Sequence, residues 1–201
     1  MIKSTILISL CLLLTACFGG GSVPQDKYYR LGADQLSIKS LAPLFTKIAI
    51  SNFQADAMHR ERAILYSDAD KPLQLNRYHY HHWHDIPPKM IQAHMIENLR
   101  QVGIAKWVVR YGDVSQIDAK IEGRIKHFER VVSASGVDVV VELELKLRVL
   151  DKPNQFWQKT YRQVANTADD SVLASVQAMS TALTRVYEAF LGDLQQQVAQ
   201  H

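Results

Sequence analysis

The chain has 201 residues, 47% of them hydrophobic, which is enough for one domain with its own core. Its 23 lysines and arginines nearly balance its 20 aspartates and glutamates, and the net charge of +3 argues against a nucleic-acid-binding protein. The two cysteines are Cys11 and Cys17. Because both lie near the N-terminus, we expect neither a disulfide nor a reactive thiol in the folded domain.

The N-terminal segment has the pattern of a bacterial lipoprotein leader. Lys3 precedes an apolar stretch at residues 6–14, which is too short to span a bilayer because a span needs about 20 residues. Residues 14–17, Leu-Thr-Ala-Cys, then resemble a processing site in which small residues precede a cysteine that becomes lipid-modified. An ordinary secretory signal with a chance cysteine is the alternative.

This leader predicts how the chain is divided. We expect residues 1–16 to be a signal peptide and residues 17–26 to be a lipidated Cys17 followed by a flexible tether. Residues 27–201 would form a periplasmic domain. Phe18 replaces the aspartate that usually retains lipoproteins in the inner membrane, so the outer membrane is the predicted location.

Strand and helix patterns alternate through the first half of the domain. The predicted strands cover residues 27–31, 46–53, 63–66, 73–80 and 107–109, the last of them buried. Pro87 and Pro88 indicate the start of a helix, and its helical apolar spacing continues to Val102. Gly103 stands where a helix C-cap is expected.

The second half predicts a hairpin, a third strand and a long helix. Residues 117–126 and 137–149 alternate apolar and polar side chains on either side of a turn at residues 133–136. Residues 155–165 form the next strand, with Trp157 and Tyr161 on one face. The helix follows Asp169 and Asp170, and its apolar stripe is Val172, Val176, Met179, Leu183, Val186, Phe190 and Leu194.

The long apolar stripe predicts a helix that covers a sheet face, with a coiled-coil partner helix as the alternative. Together, the elements predict a single α/β domain. It has a mixed, largely antiparallel sheet and two main helices.

Four histidines close together are the clearest candidates for metal binding. His79, His81, His82 and His84 lie near a predicted strand end, where His79 and His81 would share a face. A surface strand end tolerates histidine equally well, and the sequence shows no groups that would orient these rings. We therefore assign no metal and no cofactor, and keep the four histidines as candidate ligands.

Aromatic residues are the clearest candidates for partner binding. GxSxG, HExxH and phosphate-binding glycine loops are absent from the sequence, so we expect a protein that is not an enzyme. Tyrosine and tryptophan are favoured at interfaces, and the sheet interior is the alternative place for them. The candidates are Tyr28, Tyr29, Tyr66, Tyr78 and Trp83, with Tyr80 beside them.

Several segments together resemble the auxiliary lipoproteins of ABC-type transport systems, the family that includes paraquat-inducible protein C. They are the lipoprotein processing site, residues 28–31, residues 62–66, residues 78–83 and the helix that begins at Pro87. The resemblance implies a three-layer α/β domain related to the N-terminal domain of TolB. It also implies a non-catalytic role in transport systems of the mammalian-cell-entry (MCE) type, which move lipid between the two membranes.

The resemblance leads to one main hypothesis and two alternatives. The main one is an adaptor on the periplasmic face of the outer membrane, held by its lipid anchor, whose partners are an MCE-domain protein and inner-membrane transporter subunits. Because such partners form rings, a homo-oligomer is consistent with this role. The first alternative is a periplasmic carrier that binds phospholipid, and the second is a metal-binding protein that uses the histidines.

Overall fold

The computed structural model describes residues 24–32, 34, 36–38, 43–152 and 156–199. The predicted signal peptide and lipidation site, Cys17, lie outside the described residues. Within those ranges, no helix combines the length and the apolar character needed to cross a membrane.

Eight strands and two long helices follow one another along the described chain. They are β1 (Lys27–Tyr29), β2 (Phe45–Ile50), a 3-10 helix (Met58–Arg60), β3 (Ala63–Asp68), β4 (Lys71–Trp83), α1 (Pro87–Val102), β5 (Ala105–Arg110), β6 (Ala119–Ser133), β7 (Gly136–Val149), β8 (Phe156–Asn166) and α2 (Val172–Ala199). This order confirms the predicted mixed α/β class.

All eight strands belong to one open mixed sheet. Its centre is the β6–β7 hairpin, and β8 adds to β7 in the antiparallel direction. β5 extends β2, β4 extends β3, and β1 lies parallel to β4 on the outside. The antiparallel ladders are the long ones, so the sheet is largely antiparallel as predicted.

The edge of β6 that faces away from β7 is shared by two strands. β2 pairs in parallel with the first part of β6, where Ile50 lies opposite Ile121. β3 pairs in parallel with the second part, where Leu65 lies opposite Glu129. Because β4 is antiparallel to β3, β2 and β4 run in opposite directions. β2 ends beside Ile121 of β6, and β4 ends beside Ala63, just before β3 begins to pair with β6. We call this division of the sheet the fork.

The core lies between one face of the sheet and the two helices. The alternation in β7 is confirmed, since the odd-numbered residues from Val139 to Leu147 are buried. The α2 stripe is also buried, and Phe190 meets Tyr161 of β8 edge to face at 6.0 Å. The Tyr187 hydroxyl donates to the Ile91 carbonyl of α1 at 3.4 Å. The helices therefore lie side by side on this face, and α2 covers the sheet as predicted.

The helix ends follow the local sequence closely. Pro87 begins α1, and Gly103 ends it with φ 73°, a left-handed conformation that glycine adopts easily. At the start of α2 the cap is Ser171, whose Oγ accepts the N–H of Ala174 at 3.0 Å. Asp169 supports this cap by accepting the Ser171 N–H at 2.7 Å.

One strand differs from its predicted environment. The sequence predicts a buried strand at residues 107–109, but Trp107 is 62% exposed. β5 is an edge strand, and the period-two alternation of a strand places Val108 in the core and Trp107 on the opposite face.

Candidate functional site

Three of the predicted partner-binding tyrosines lie together on β1, β3 and β4. The rings of Tyr66 and Tyr78 are 4.5 Å apart. The hydroxyl of Tyr29 lies 2.7 Å from Nδ1 of His81, whose ring meets Tyr78 edge to face at 5.5 Å. We call these four residues, Tyr29, Tyr66, Tyr78 and His81, the aromatic cluster. The pairing of three separate strands is what brings them into contact.

An irregularity in β4 explains why a histidine joins the cluster. Ala63 pairs with His82, whereas Leu65, two residues later, pairs with Arg77. β4 therefore contains extra residues between these two points, which interrupts the side-to-side alternation of its side chains. The prediction that His79 and His81 share a chelating face assumed an uninterrupted strand.

The four histidines have separate surroundings. His79 is exposed, and His81 belongs to the aromatic cluster. Nε2 of His82 lies 3.7 Å from the Asp26 carboxylate, and Nδ1 of His84 lies 3.3 Å from the Tyr29 carbonyl. Across the described part of the chain, no group of three or more His, Cys, Asp or Glu residues is placed to hold a metal ion.

Arg130 supports the aromatic cluster from the core side. Its Nε donates to Ser175 Oγ at 2.8 Å, and its Nη2 donates to the Asp170 carbonyl at 2.7 Å. Its Nη1 donates to the Tyr78 hydroxyl, and the guanidinium lies over the Tyr78 ring. Burial raises the pKa of Tyr78 and the charge of Arg130 offsets this only in part, so the hydroxyl stays protonated at neutral pH.

Sequence reasoning missed Arg130. The signal for it was present, because Arg130 stands between Phe128 and Val132 at alternate positions of β6 and therefore shares their core-facing side. An arginine at such a position is rarely buried unless it is paired or hydrogen-bonded.

Tyr28 and Trp83 lie outside the aromatic cluster and differ from each other. The ring of Tyr28 is 57% exposed and lies beneath the guanidinium of Arg62, 5.2 Å from its centroid. Trp83 is 1% exposed and stacks on Phe128 at 5.1 Å. Tyr28 therefore has area to offer a partner, whereas Trp83 contributes to the core.

β4 has an unpaired outer edge beside the aromatic cluster. β1 pairs only with residues 81–83 of β4, and β3 occupies the other edge. From Lys71 to Tyr80, no strand among the described residues pairs with the outer edge. Tyr80 is 46% exposed, and Leu73, near the β3–β4 turn, is fully exposed.

An open cleft of about 640 Å³ lies where the strands end at the fork. The ends of β1, β2, β4 and β5 and the first turns of α1 form its walls. Its lining residues are Arg30, Leu31, Asn52, His84, Asp85, Lys89, Met90, Gln92, Ala93, His94 and Arg110. Gln92 connects α1 to the end of β2 at the base of the cleft, because its Nε2 donates to the Ile50 carbonyl at 2.9 Å.

Comparisons with known proteins agree with this fold. A crystal structure of a Xanthomonas campestris protein superposes with a TM-score of 0.70 at 18% identity, and the match covers 87% of this chain and all of that one. A second crystal structure, of an uncharacterised protein, gives 0.64 at 14% identity, covering 83% of this chain and 96% of that one. At these identities the similarity shows the fold alone.

Sequence comparisons identify the family. An uncharacterised protein of Bradyrhizobium diazoefficiens is 26% identical over 176 residues, which are 87% of this chain and 46% of that protein. The chain thus spans about half the length of this curated relative. Residues 46–189 match the family model described as ABC-type transport auxiliary lipoprotein component, which is well over half of the chain. The chain therefore belongs to the family of ABC-type transport auxiliary lipoprotein components.

Proposed function

We propose that this protein is a non-catalytic adaptor that docks an ABC/MCE-type lipid transporter at the periplasmic face of the outer membrane. Cys17 would carry the lipid anchor, and the domain would present a binding surface to an MCE-domain protein or a transporter subunit. Family membership supports the broader part of this role, that of an auxiliary lipoprotein in ABC-type transport.

The observation that carries the proposal is the unpaired outer edge of β4 from Lys71 to Tyr80. An extended segment of a partner can pair with such an edge as an additional strand, and its main-chain hydrogen bonds then supply affinity. β5 and β8 also have an outer edge without a strand partner in the described sheet. β4 differs from them because it lies beside β1, the strand that directly follows the predicted tether.

The side chains around the β4 edge suit a protein interface. Tyr28 and Tyr80 are about half exposed, and each offers apolar area together with a hydroxyl that can form a hydrogen bond. Leu73 adds an apolar side chain near the β3–β4 turn. A partner strand paired with this edge would have Leu73 near one end and Tyr28 and Tyr80 near the other.

Photo-crosslinking in cells tests this surface directly. A photoreactive amino acid replaces Tyr80 on the β4 edge, and the matched control carries it at Val164, which is similarly exposed on β8. We expect the Tyr80 position to crosslink to a transporter subunit and the Val164 position to give no such product. Equal crosslinking at both positions, or none at Tyr80, would contradict docking through β4.

The lipid anchor needs a separate test. A Cys17→Ala variant should fold like the wild type but appear in the soluble periplasmic fraction. It should also fail to restore function to a strain that lacks the protein. Full function in this variant would show that holding the domain at the membrane is not part of its role.

A further inference from the structure

We infer that the cleft at the fork binds a phosphate group. Two sources supply this chemistry in the cell envelope, namely a phospholipid headgroup and free phosphate. The inference goes beyond the docking role, because an adaptor that binds its partner through β4 has no need of such a site. Its test is accordingly independent of any transporter subunit.

Basic side chains reach the cleft from three separate parts of the chain. Arg30 directly follows β1, Lys89 lies in the first turn of α1, and Arg110 ends β5. The fork is what brings these segments together, since strands from its two sides end at this point. The three cations therefore surround one opening although they are far apart in sequence.

The charge of the cleft is not balanced by its own residues. Asp85 is the one carboxylate in the lining, and its Oδ1 already accepts the N–H of Ile86 at 2.8 Å. Arg30, Lys89 and Arg110 form no ion pair with any residue that the structure describes. A bound anion would relieve the repulsion among the three cations.

Some basic residues elsewhere on the surface are paired with carboxylates. On β6 and β8, Lys120 lies 2.9 Å from Glu122, Lys159 lies 2.7 Å from Asp193, and Arg162 lies 2.7 Å from Glu142. Others, such as Lys106, form no ion pair with the described residues, so the cleft is distinguished by the convergence of three unpaired cations rather than by the lack of a partner alone. The concentration of unpaired cations at a concave site indicates an external anion.

Side chains, rather than helix amides, must supply the hydrogen bonds. Pro87 and Pro88 have no N–H to donate, and the N–H groups of Lys89 and Met90 are both directed to the Ile86 carbonyl. Two arginines suit phosphate, because a guanidinium can donate two parallel hydrogen bonds to its oxygens while a lysine adds a point charge.

The size of the cleft and its apolar wall favour a phosphate that belongs to a larger molecule. A volume of about 640 Å³ exceeds what an inorganic ion fills and lies in the range of small-molecule sites. Leu31, Met90 and Ala93 add apolar area beside the cations. This combination fits the charged headgroup and the glycerol region of a phospholipid.

Calorimetric titration of the full-length protein in a neutral detergent tests the inference. The probes are inorganic phosphate, dihexanoyl-phosphatidylglycerol and dihexanoylglycerol, of which the last has no phosphate. We expect saturable binding of a phosphate-containing probe, weakened about tenfold by Arg30→Gln and by Arg110→Gln. Lys106→Gln is the control, because it removes the same charge from the exposed surface of β5 outside the cleft.

Each outcome decides for or against the site. Binding of the phospholipid well above that of inorganic phosphate assigns the phosphate to a headgroup, and equal binding of the two assigns the site to free phosphate. Equal binding of dihexanoylglycerol overturns the inference, because it shows apolar contact alone. So does an effect of Lys106→Gln as large as that of Arg110→Gln, or no saturable binding by any phosphate probe. Unchanged thermal unfolding of each variant excludes a folding defect as the cause.

Discussion

Nε2 of His59 lies 3.4 Å from the carboxylate of Glu129, and both side chains are almost completely buried. Nδ1 of His59 lies 2.8 Å from Asp56, and His127 lies 2.7 Å from the other oxygen of Glu129. The backbone N–H of Phe128 also donates to Glu129. This network ties the 3-10 helix to β6.

The network predicts that stability depends on pH through His59. Burial alone would lower the pKa of His59, but its hydrogen bonds to Glu129 and Asp56 and their negative charges outweigh burial and raise the pKa above 6.5. The stabilisation is therefore complete below the unfolded-state pKa and is lost as pH rises through the folded-state value. Glu129 has a lowered pKa, because its hydrogen bonds to His59 and His127 outweigh the effect of burial, so it stays charged throughout.

Urea unfolding from about pH 6 to about pH 9 measures this loss. The wild type should lose stability over the interval, and His59→Gln should be flatter and less stable at the acidic end by about 3 kcal/mol, as expected when one partner of a buried pair is removed. His79→Gln, at an exposed position, should keep the wild-type profile. An identical decline in His59→Gln would mean that another group titrates.

Gly123 leaves space for a ring of the core. A Cβ at this position would lie 2.2 Å from Cε1 of Phe53, which is itself buried. Gly123→Ala should therefore lower the free energy of unfolding by about 1–3 kcal/mol, as overpacked cores do. In a Phe53→Ala background the space is free, so the same substitution should cause little further loss in urea unfolding.

Gly192 provides the matched control for this substitution. It lies in α2, and beyond the adjoining helix backbone no heavy atom of the described residues comes within 4 Å of the place a Cβ would take. Gly192→Ala should stabilise the protein by about 0.5–1 kcal/mol, because alanine favours a helix more than glycine does. If both alanine variants changed stability in the same direction, close packing at Gly123 would not be the cause.

Alanine substitutions of Trp83 and Tyr28 should distinguish an effect on stability from an effect on partner binding. Trp83→Ala removes a buried ring from the core, and we expect it to cost about 3–5 kcal/mol of stability. Tyr28→Ala changes an exposed ring and should alter stability by no more than about 0.5 kcal/mol. Only Tyr28→Ala tests docking cleanly, by the yield of copurified transporter subunits. Retention of the wild-type yield would remove Tyr28 from the proposed surface.

Arg130 should be sensitive even to a conservative change. Arg130→Lys keeps the charge but cannot reproduce the three hydrogen bonds to Ser175, Asp170 and Tyr78, so a loss of about 2–3 kcal/mol is expected. Arg162→Lys, at a partly exposed ion pair, should change stability by less than about 1 kcal/mol. Thermal unfolding of the two variants compares them, and equal small losses would show that the buried bonds contribute little.

Elements with strong local signals were predicted closely from the sequence. α1 begins at Pro87 and is followed by Gly103. Proline fixes its φ angle at a helical value and glycine adopts a left-handed conformation easily, so both signals can be read from the local sequence alone. The stripe from Val172 to Leu194 is buried as its helical spacing predicts. The turn between β6 and β7 also agrees, since two alternating segments flank it.

Features that depend on pairing between distant segments were not predictable in the same way. The extra residues in β4 that bring His81 to Tyr78 are visible only through the pairing with β3. The exposure of Trp107 follows from the position of β5 at a sheet edge, which hydropathy does not reveal. The cleft likewise depends on the fork, where strands remote in sequence end together.

The continuity of β6 across the fork affects how the domain opens. β6 pairs with β7 along one edge and with both β2 and β3 along the other. If β6 left the sheet, it would therefore break the pairing of β2 and of β3 together. Slow amide hydrogen exchange should therefore extend along the whole of β6 as one cooperative unit, while β1, held by three residue pairs, exchanges first. We therefore expect the centre of the sheet to open last and the strands at its margin to open first.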